Sequence, residues 1–347
     1  MRGDSVAVSV IVPAYNAAAT ITECLAALNN QSVATSEYEV IVVDDGSTDD
    51  TAAIAARCGA RVIRQANQGP AAARNAGLAE ARGGIILFTD ADCAPAPKWI
   101  EQMIAPLAAP DIAGSKGVYR TRQDDLTARF IQVEYEDRYD YTARHEYVDF
   151  IDTYAAGYRR DVLVASGGFD TSFPFASVED QELSFRLASA GHKMVFSPKA
   201  IVYHHHPESW LKYARRKYKI GYWKTLVLRR HPSKAWRDTH TPRDLKAQMV
   251  LAALSAPLTL LSLVSASNLR WLGLTLGAFV LTAIPFVAKA WRRDRPIAFL
   301  SLPILYLRAW SLGMGLVAGY VSALWHRGPL TATHHVQEGE NKSRPAA

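Results

Sequence analysis

The sequence predicts an α/β domain built on a doubly wound parallel sheet, followed by a membrane-embedded helical region. Two observations carry this. Short β-branched apolar runs alternate with helical stretches over the first hundred residues, and residues 247–325 are almost entirely apolar. The mean hydropathy of −0.05 averages over these two unlike parts and hides both.

Val8–Val12 reads as a buried parallel strand. A helix follows, with Thr20 and Glu23 in capping-box spacing and Ile21, Leu25 and Leu28 on one face. Val40–Val43 is the second strand, Thr51–Cys58 a second helix and Arg61–Arg64 a short strand. Pro70 suits a helix start, and Ala71–Arg82 runs to a stop at Gly83-Gly84. Ile85–Phe88 is the next buried strand, and Ala200–Tyr203 a later one.

Polar residues gather at the carboxyl ends of these strands, where ligands bind in open α/β sheets. Pro13-Ala14-Tyr15-Asn16 follows the first strand, Asp44-Asp45-Gly46-Ser47 the second, and Thr89-Asp90-Ala91-Asp92 the fourth. Four acids at neighbouring tips repel one another unless a cation or ligand compensates. Asp90 and Asp92, on alternate residues past a strand, can aim two hard oxygen donors at one Mg²⁺ or Mn²⁺ ion.

Net charge is uneven. Residues 211–246 hold twelve Lys/Arg against Asp238 and Asp244, so this segment is +10 in a chain of +6. Because it precedes the apolar region, anionic membrane lipid is the expected partner and nucleic acid is not. Within it, Leu211–Trp223 reads as an interfacial helix, with Lys212, Arg216 and Lys219 on one face and Leu211, Tyr218 and Tyr222 on another. Cys24, Cys58 and Cys93 form no metal spacing and read as reduced thiols. No secretory signal opens the sequence, so the first domain is expected in the cytoplasm.

Spans are expected at about 247–267, 271–288 and 309–325, each near the roughly 20 residues of one crossing. Arg308 interrupts the last apolar stretch, and a charge at mid-bilayer costs about 3 kcal/mol on insertion scales. Ile297–Leu307 is therefore expected to be interfacial or re-entrant. Lys289, Arg292, Arg293 and Arg295 place the end of the second span on the basic segment's side, the cytoplasmic one. The expected domains are 1–209 catalytic, 210–246 basic and interfacial, 247–325 membrane-embedded and 326–347 a polar tail.

The motifs taken together resemble those of family-2 glycosyltransferases with the GT-A fold, a Rossmann-like nucleotide-diphospho-sugar transferase domain. They are Val8 to Asn16, Val42 to Asp49, Asn67-Gln68-Gly69 with Ala73-Arg74-Asn75-Ala76-Gly77, and Asp90-Ala91-Asp92, in that order. The resemblance covers about residues 6–210. It implies a nucleotide-sugar donor, UDP- or GDP-linked, bound by Pro13, Tyr15, Asp45, Gly69, Arg74 and Asp90. Asp92 would be the direct metal ligand. Asp45 can also be read as a helix cap, and Arg74 as a solvated helix residue.

The acceptor side is expected at Gly157, in Ala155 to Arg160, and at Glu179. Small residues there permit close approach of substrate to backbone. Asp180, in Val178-Glu179-Asp180-Gln181-Glu182-Leu183, matches the family's catalytic acid and is the expected general base. Of His204-His205-His206, His204 best fits the family's metal-binding histidine.

The Gln-X-X-Arg-Trp motif of processive synthases is absent. Ala214 to Tyr218 stands in its place, which argues for single transfers. The expected activity is inverting transfer to the hydroxyl of a glycan or lipid-linked glycan. A polyprenyl-phosphate sugar transferase is the alternative. A non-catalytic binder would be expected to lack Asp92 or Asp180, and both are present.

Overall fold

The computed structural model describes residues 6–173 and 178–325. The polar tail expected at 326–347 lies outside the described residues. The α/β domain begins as the sequence implies: β1 (Val8–Ala14), α1 (Ile21–Asn29), β2 (Tyr38–Asp44), α2 (Thr51–Arg57), β3 (Arg61–Arg64), α3 (Pro70–Glu80) and β4 (Ile85–Phe88). Then come β5 (Cys93–Pro95), α4 (Trp99–Ile104), β6 (Ile112–Arg120), α5 (Leu126–Thr142), β7 (Ala156–Arg159), α6 (Arg160–Ala165), α7 (Glu179–Ser189) and β8 (Lys193–His204).

One eight-stranded sheet runs in the order β3-β2-β1-β4-β7-β6-β8-β5. Strands β3, β2, β1 and β4 are parallel. The other half is mixed and corrects the all-parallel expectation: β7 is antiparallel to β4 and β6, and β5 to β8. Alternate β1 residues face opposite layers, so Val10 and Val12 pack with Leu25 and Trp99, while Ile11 packs with Phe88 and Leu183. This two-sided burial explains why the early strands read as unbroken apolar runs.

The expected capping box at Thr20 does not form. No side chain caps α1, and the Thr20 hydroxyl donates to the Ala17 carbonyl at 3.4 Å.

Four long helices follow: α8 (Trp210–Arg230), α9 (Arg243–Val264), α10 (Asn268–Arg293) and α11 (Arg295–Trp325). The last three are long and apolar enough to cross a membrane. Leu263, Val264, Leu281 and Phe299 on them are exposed.

The break expected at Arg308 is absent, and α11 is continuous through both apolar stretches. Arg308 instead turns inward. It donates to Gln248 Oε1 at 2.7 Å and lies 3.6 Å from Glu134 of α5. Pairing a charge within the protein removes most of the cost of placing it in an apolar helix.

Helix α8 packs along α11 at closest approach. A Cβ on Gly221 would strike the Leu312 carbonyl, and one on Gly315 the Tyr218 carbonyl. The basic end of α10 is tied to the α/β domain by Lys289–Asp137 at 2.6 Å and by Arg293–Glu136. Arg129–Asp294 at 2.7 Å fixes the turn into α11.

Candidate active site

The tips of β1, β2 and β4 open onto one cavity of about 1390 Å³. Every residue expected to bind the donor, acceptor or metal, or to act as the base, lines it except Gly157.

One end of the cavity is built by β1, β2 and the loop before α3. Tyr15 is half-exposed, its ring open to a ligand. Asn16 holds a left-handed conformation, φ 49°, which an Asn tolerates. Its side chain accepts from the Thr48 amide at 2.9 Å, joining the first tip to the second.

Asp45 is buried and is not a helix cap. It accepts from Gln65 Nε2 at 2.7 Å, Gln68 N at 2.9 Å and Gly69 N at 2.8 Å. Asp45 therefore folds the Gln65–Gly69 loop over the cleft. Gly69 has φ 89°, a left-handed value that favours glycine.

Strand pairing creates the polar centre. In the β5–β8 ladder Cys93 stands opposite His204. That register sets Asp92 Oδ2 3.2 Å from His204 Nε2. His204 Nδ1 lies 3.3 Å from His206 Nδ1, and His206 stacks on Tyr135 at 5.6 Å. Burial, and then His204, pull the His206 pKa down to about 3, so its ring is neutral and can fix the orientation of His204.

Asp92, Cys93 and His204 offer donor atoms within 4.8 Å of one another. Burial raises the Cys93 thiol well above its usual range, which keeps it protonated. Burial opposes ionisation of Asp92, but the hydrogen bond and charge of His204 prevail and lower its pKa. An open carboxylate and an imidazole nitrogen, with Asp90 beside them, fit a hard divalent ion.

Arg74 departs from expectation. It is buried, donating to Glu179 Oε1 at 2.7 Å and Asp90 Oδ1 at 3.1 Å. Two carboxylates already balance its charge, so it positions Asp90 and is not a free cation for a ligand. Burial raises the Asp90 pKa, and Arg74 counters this.

Asp180, in the first turn of α7, accepts from the Thr153 amide at 3.4 Å. Burial first, then the neighbouring Glu179 and Asp152 charges, push it well above the usual carboxylate range. Such a group is a stronger base once deprotonated. Asp152 is held by Lys116 at 2.5 Å.

Gly157 does not line the cavity. It lies within β7, where an added Cβ would sit 2.5 Å from Ser115 Oγ and 2.9 Å from Leu87 Cδ2. Packing inside the sheet, not substrate approach, excludes a side chain there.

The basic helix brings what the sequence reading assigned elsewhere. Lys212, Arg216 and Lys219 do share a face of α8, but that face lines the cavity. Tyr135, then Tyr119, Asp92 and Asp90 raise the Arg216 pKa, placing this cation beside the acidic centre. Its signal in the sequence was the i, i+4 spacing of cations after the histidines, legible only once α8 is folded back over the sheet.

A model of the family described as Glycosyl transferase family 2 matches residues 9–165. The chain is 40% identical over 107 residues to glycosyltransferase AglE of Haloferax volcanii, covering 29% of this chain and 35% of that protein. It is 29% identical over 239 residues to a pre-mycofactocin glycosyltransferase of Mycobacterium tuberculosis, covering 65% and 48%. The aligned stretches thus span about a third to a half of these relatives. The mannosyltransferase PcManGT from Pyrobaculum calidifontis, solved with GDP-Man and Mn²⁺, superposes with a TM-score of 0.57 at 23% identity, covering 92% of this chain and 88% of that one. The fold is GT-A, a mixed-sheet Rossmann-like domain with C-terminal helices long and apolar enough to span a membrane. Residues 9–165 thus carry the sequence pattern of a family-2 glycosyltransferase domain.

Proposed function

We propose that the protein transfers a sugar from a nucleotide-diphosphate-sugar to an acceptor hydroxyl, with inversion, at the cytoplasmic face of a membrane. One observation carries the reading: a single cavity holds the Asp90, Asp92 and His204 donor set together with the basic carboxylate of Asp180. The GDP-Man and Mn²⁺ bound by PcManGT, which shares the fold, are consistent with it.

The Tyr15 ring stacks on the nucleobase, and Asp45 accepts its N–H while shaping the Gly69 loop. Pro13 forms the floor beneath. Asp92 and His204, beside Asp90, would hold Mn²⁺ or Mg²⁺, which would supply positive charge to balance the leaving diphosphate. Arg216 adds a second cation there, and Arg74 keeps Asp90 in place.

On the opposite side Asp180 removes the acceptor's proton as the oxygen attacks the anomeric carbon. The new C–O bond forms as the bond to the diphosphate breaks. The electron pair leaves on the phosphate oxygen and the proton stays on Asp180. Attack from the far face converts an α-linked donor into a β-linked product. Glu179 does not touch the acceptor in this scheme; through Arg74 it orients the site.

The basic end of α10, paired with α5, supports a cytoplasmic catalytic domain by the positive-inside rule. Exposed Trp236, Arg229 and Arg237 face anionic headgroups. Without a Gln-X-X-Arg-Trp motif the enzyme makes single additions to a glycan or glycolipid, the step required in building cell-surface polysaccharide.

The test is to supply membranes containing the full chain with each UDP- and GDP-sugar in turn. Nucleoside diphosphate released from one of them, and abolished by EDTA, is the expected result. Release from none contradicts the reading.

A further inference from the structure

The cavity continues beyond Asp180. It runs beneath α8 toward α9 and α11, and its walls change character on the way. Next to Asp180 come Asp152 and Phe150. The Phe150 ring meets His240 edge-on at 4.3 Å. His240 belongs to the 231–242 connection between α8 and α9, which is pinned to the catalytic domain where Thr239 N donates to Asp149 Oδ1 at 2.9 Å.

Behind His240 stands Lys224 of α8, half-buried and lining the cavity. Its one hydrogen bond among the described residues goes to a neutral group, Thr241 Oγ1, at 3.3 Å. Among the described residues it has no carboxylate within ion-pair distance. Burial pulls its ammonium below the usual lysine range. Its neighbour Lys246, by contrast, is paired with Asp238 at 2.9 Å. A cation withdrawn from water without a counter-charge is costly unless a ligand supplies one.

Past Lys224 the lining becomes apolar. Met249 and Val250 come from α9, Leu312 and Leu316 from α11, two of the helices able to cross a membrane. Val250 is exposed, so the cavity meets the surface where lipid would lie. The order is therefore a catalytic carboxylate, an unpaired cation, and an apolar wall at membrane helices. A soluble sugar would leave the last two without a partner.

We propose that Lys224 binds the phosphate of a lipid-linked acceptor, whose apolar chain runs along Met249, Val250, Leu312 and Leu316 and whose hydroxyl reaches Asp180. This rests on the glycosyl-transfer reading for the role of Asp180; the anion site itself stands on the cavity alone. The same cation would also accept a free phosphate or pyrophosphate, so the test must separate the two sources.

The experiment uses the full chain in phosphatidylcholine nanodiscs, free of competing anionic lipid. Three probes are compared by direct binding: a long-chain isoprenyl diphosphate, inorganic pyrophosphate and the uncharged isoprenol. The isoprenyl diphosphate is expected to bind about tenfold or more tightly than either of the others, because charge and apolar contact act together. Lys224→Met is expected to lose about tenfold for the diphosphate lipid while keeping its nucleoside diphosphate affinity, which shows that it folds, and Lys224→Arg to retain affinity for the lipid. Pyrophosphate or isoprenol binding as tightly as the diphosphate lipid overturns the proposal, and so does wild-type affinity in Lys224→Met. Nucleoside diphosphate binding is measured in the same preparation. Its absence would overturn the transfer reading while leaving the lipid-anion site intact.

Discussion

Asp92 Oδ2 and His204 Nε2 lie 3.2 Å apart because Cys93 and His204 are partners across β5 and β8. A three-residue strand thus carries the acid to the histidine, and the candidate cation site depends on a ladder rather than on a local motif.

Metal removal should follow from this pairing. EDTA is expected to abolish transfer, and Mn²⁺ or Mg²⁺ to restore it. Asp92→Asn should stay inactive at any metal concentration. His204→Ala keeps the carboxylates and should recover part of its activity as Mn²⁺ is raised. Full activity in chelator would remove the metal from the mechanism.

The pH profile should report the environment of Asp180. Its carboxyl is raised above the usual range by burial and by Glu179 and Asp152, and only the deprotonated form accepts a proton. Turnover is therefore expected to rise with pH through an apparent pKa above that of an ordinary carboxylate. Asp152→Asn removes a nearby negative charge and frees the Lys116 ammonium, and both changes favour ionised Asp180. The acid limb should move to lower pH. An unchanged limb would show that another group sets it.

Gly157→Ala separates packing from substrate contact. With Ser115 Oγ and Leu87 Cδ2 in the way, the methyl should cost about 1–3 kcal/mol by overpacking, seen as a lower melting temperature. The acceptor KM of the folded fraction should not change. A normal melting temperature with a raised KM would return Gly157 to the acceptor site.

Glu134→Gln tests the junction between the catalytic domain and the membrane helices. Glu134 accepts from Lys217 at 2.6 Å and Tyr213 at 2.8 Å, and it faces Arg308 and Arg138. Losing the carboxylate leaves buried cations unpaired, a loss of about 3–5 kcal/mol. The full chain in detergent should melt markedly earlier. An unshifted melt would mean that Arg308 and Lys217 find other partners.

The parallel half of the sheet was legible because buried strands announce themselves. Ile85–Phe88 and Arg61–Arg64 fall where the apolar and β-branched runs placed them. The mixed half was not. Strand β8 spans Lys193–His204, but Ser197, Pro198 and Lys199 break its apolar run, so only Ala200–Tyr203 read as strand. The acids at the tips were legible as residues that buried strands do not need. What Gly157, Arg74 and Arg308 do was hidden, because each depends on a partner remote in the chain: Ser115, Glu179 and Glu134. That the cations of α8 line the cavity was hidden for the same reason. Helical spacing shows which residues share a face, but only packing against α11 decides where that face points.

One cavity is proposed to bind the donor at one end and to activate the acceptor at the other. Asp180→Asn in the full chain tests it most directly, with donor affinity and turnover measured on the same preparation. Nucleotide-sugar affinity is expected to stay near the wild-type value while turnover at saturation falls by about 10² to 10⁴-fold, the usual scale of general-base catalysis. Turnover that survives at saturation while donor affinity collapses would contradict the account and make Asp180 a binding residue.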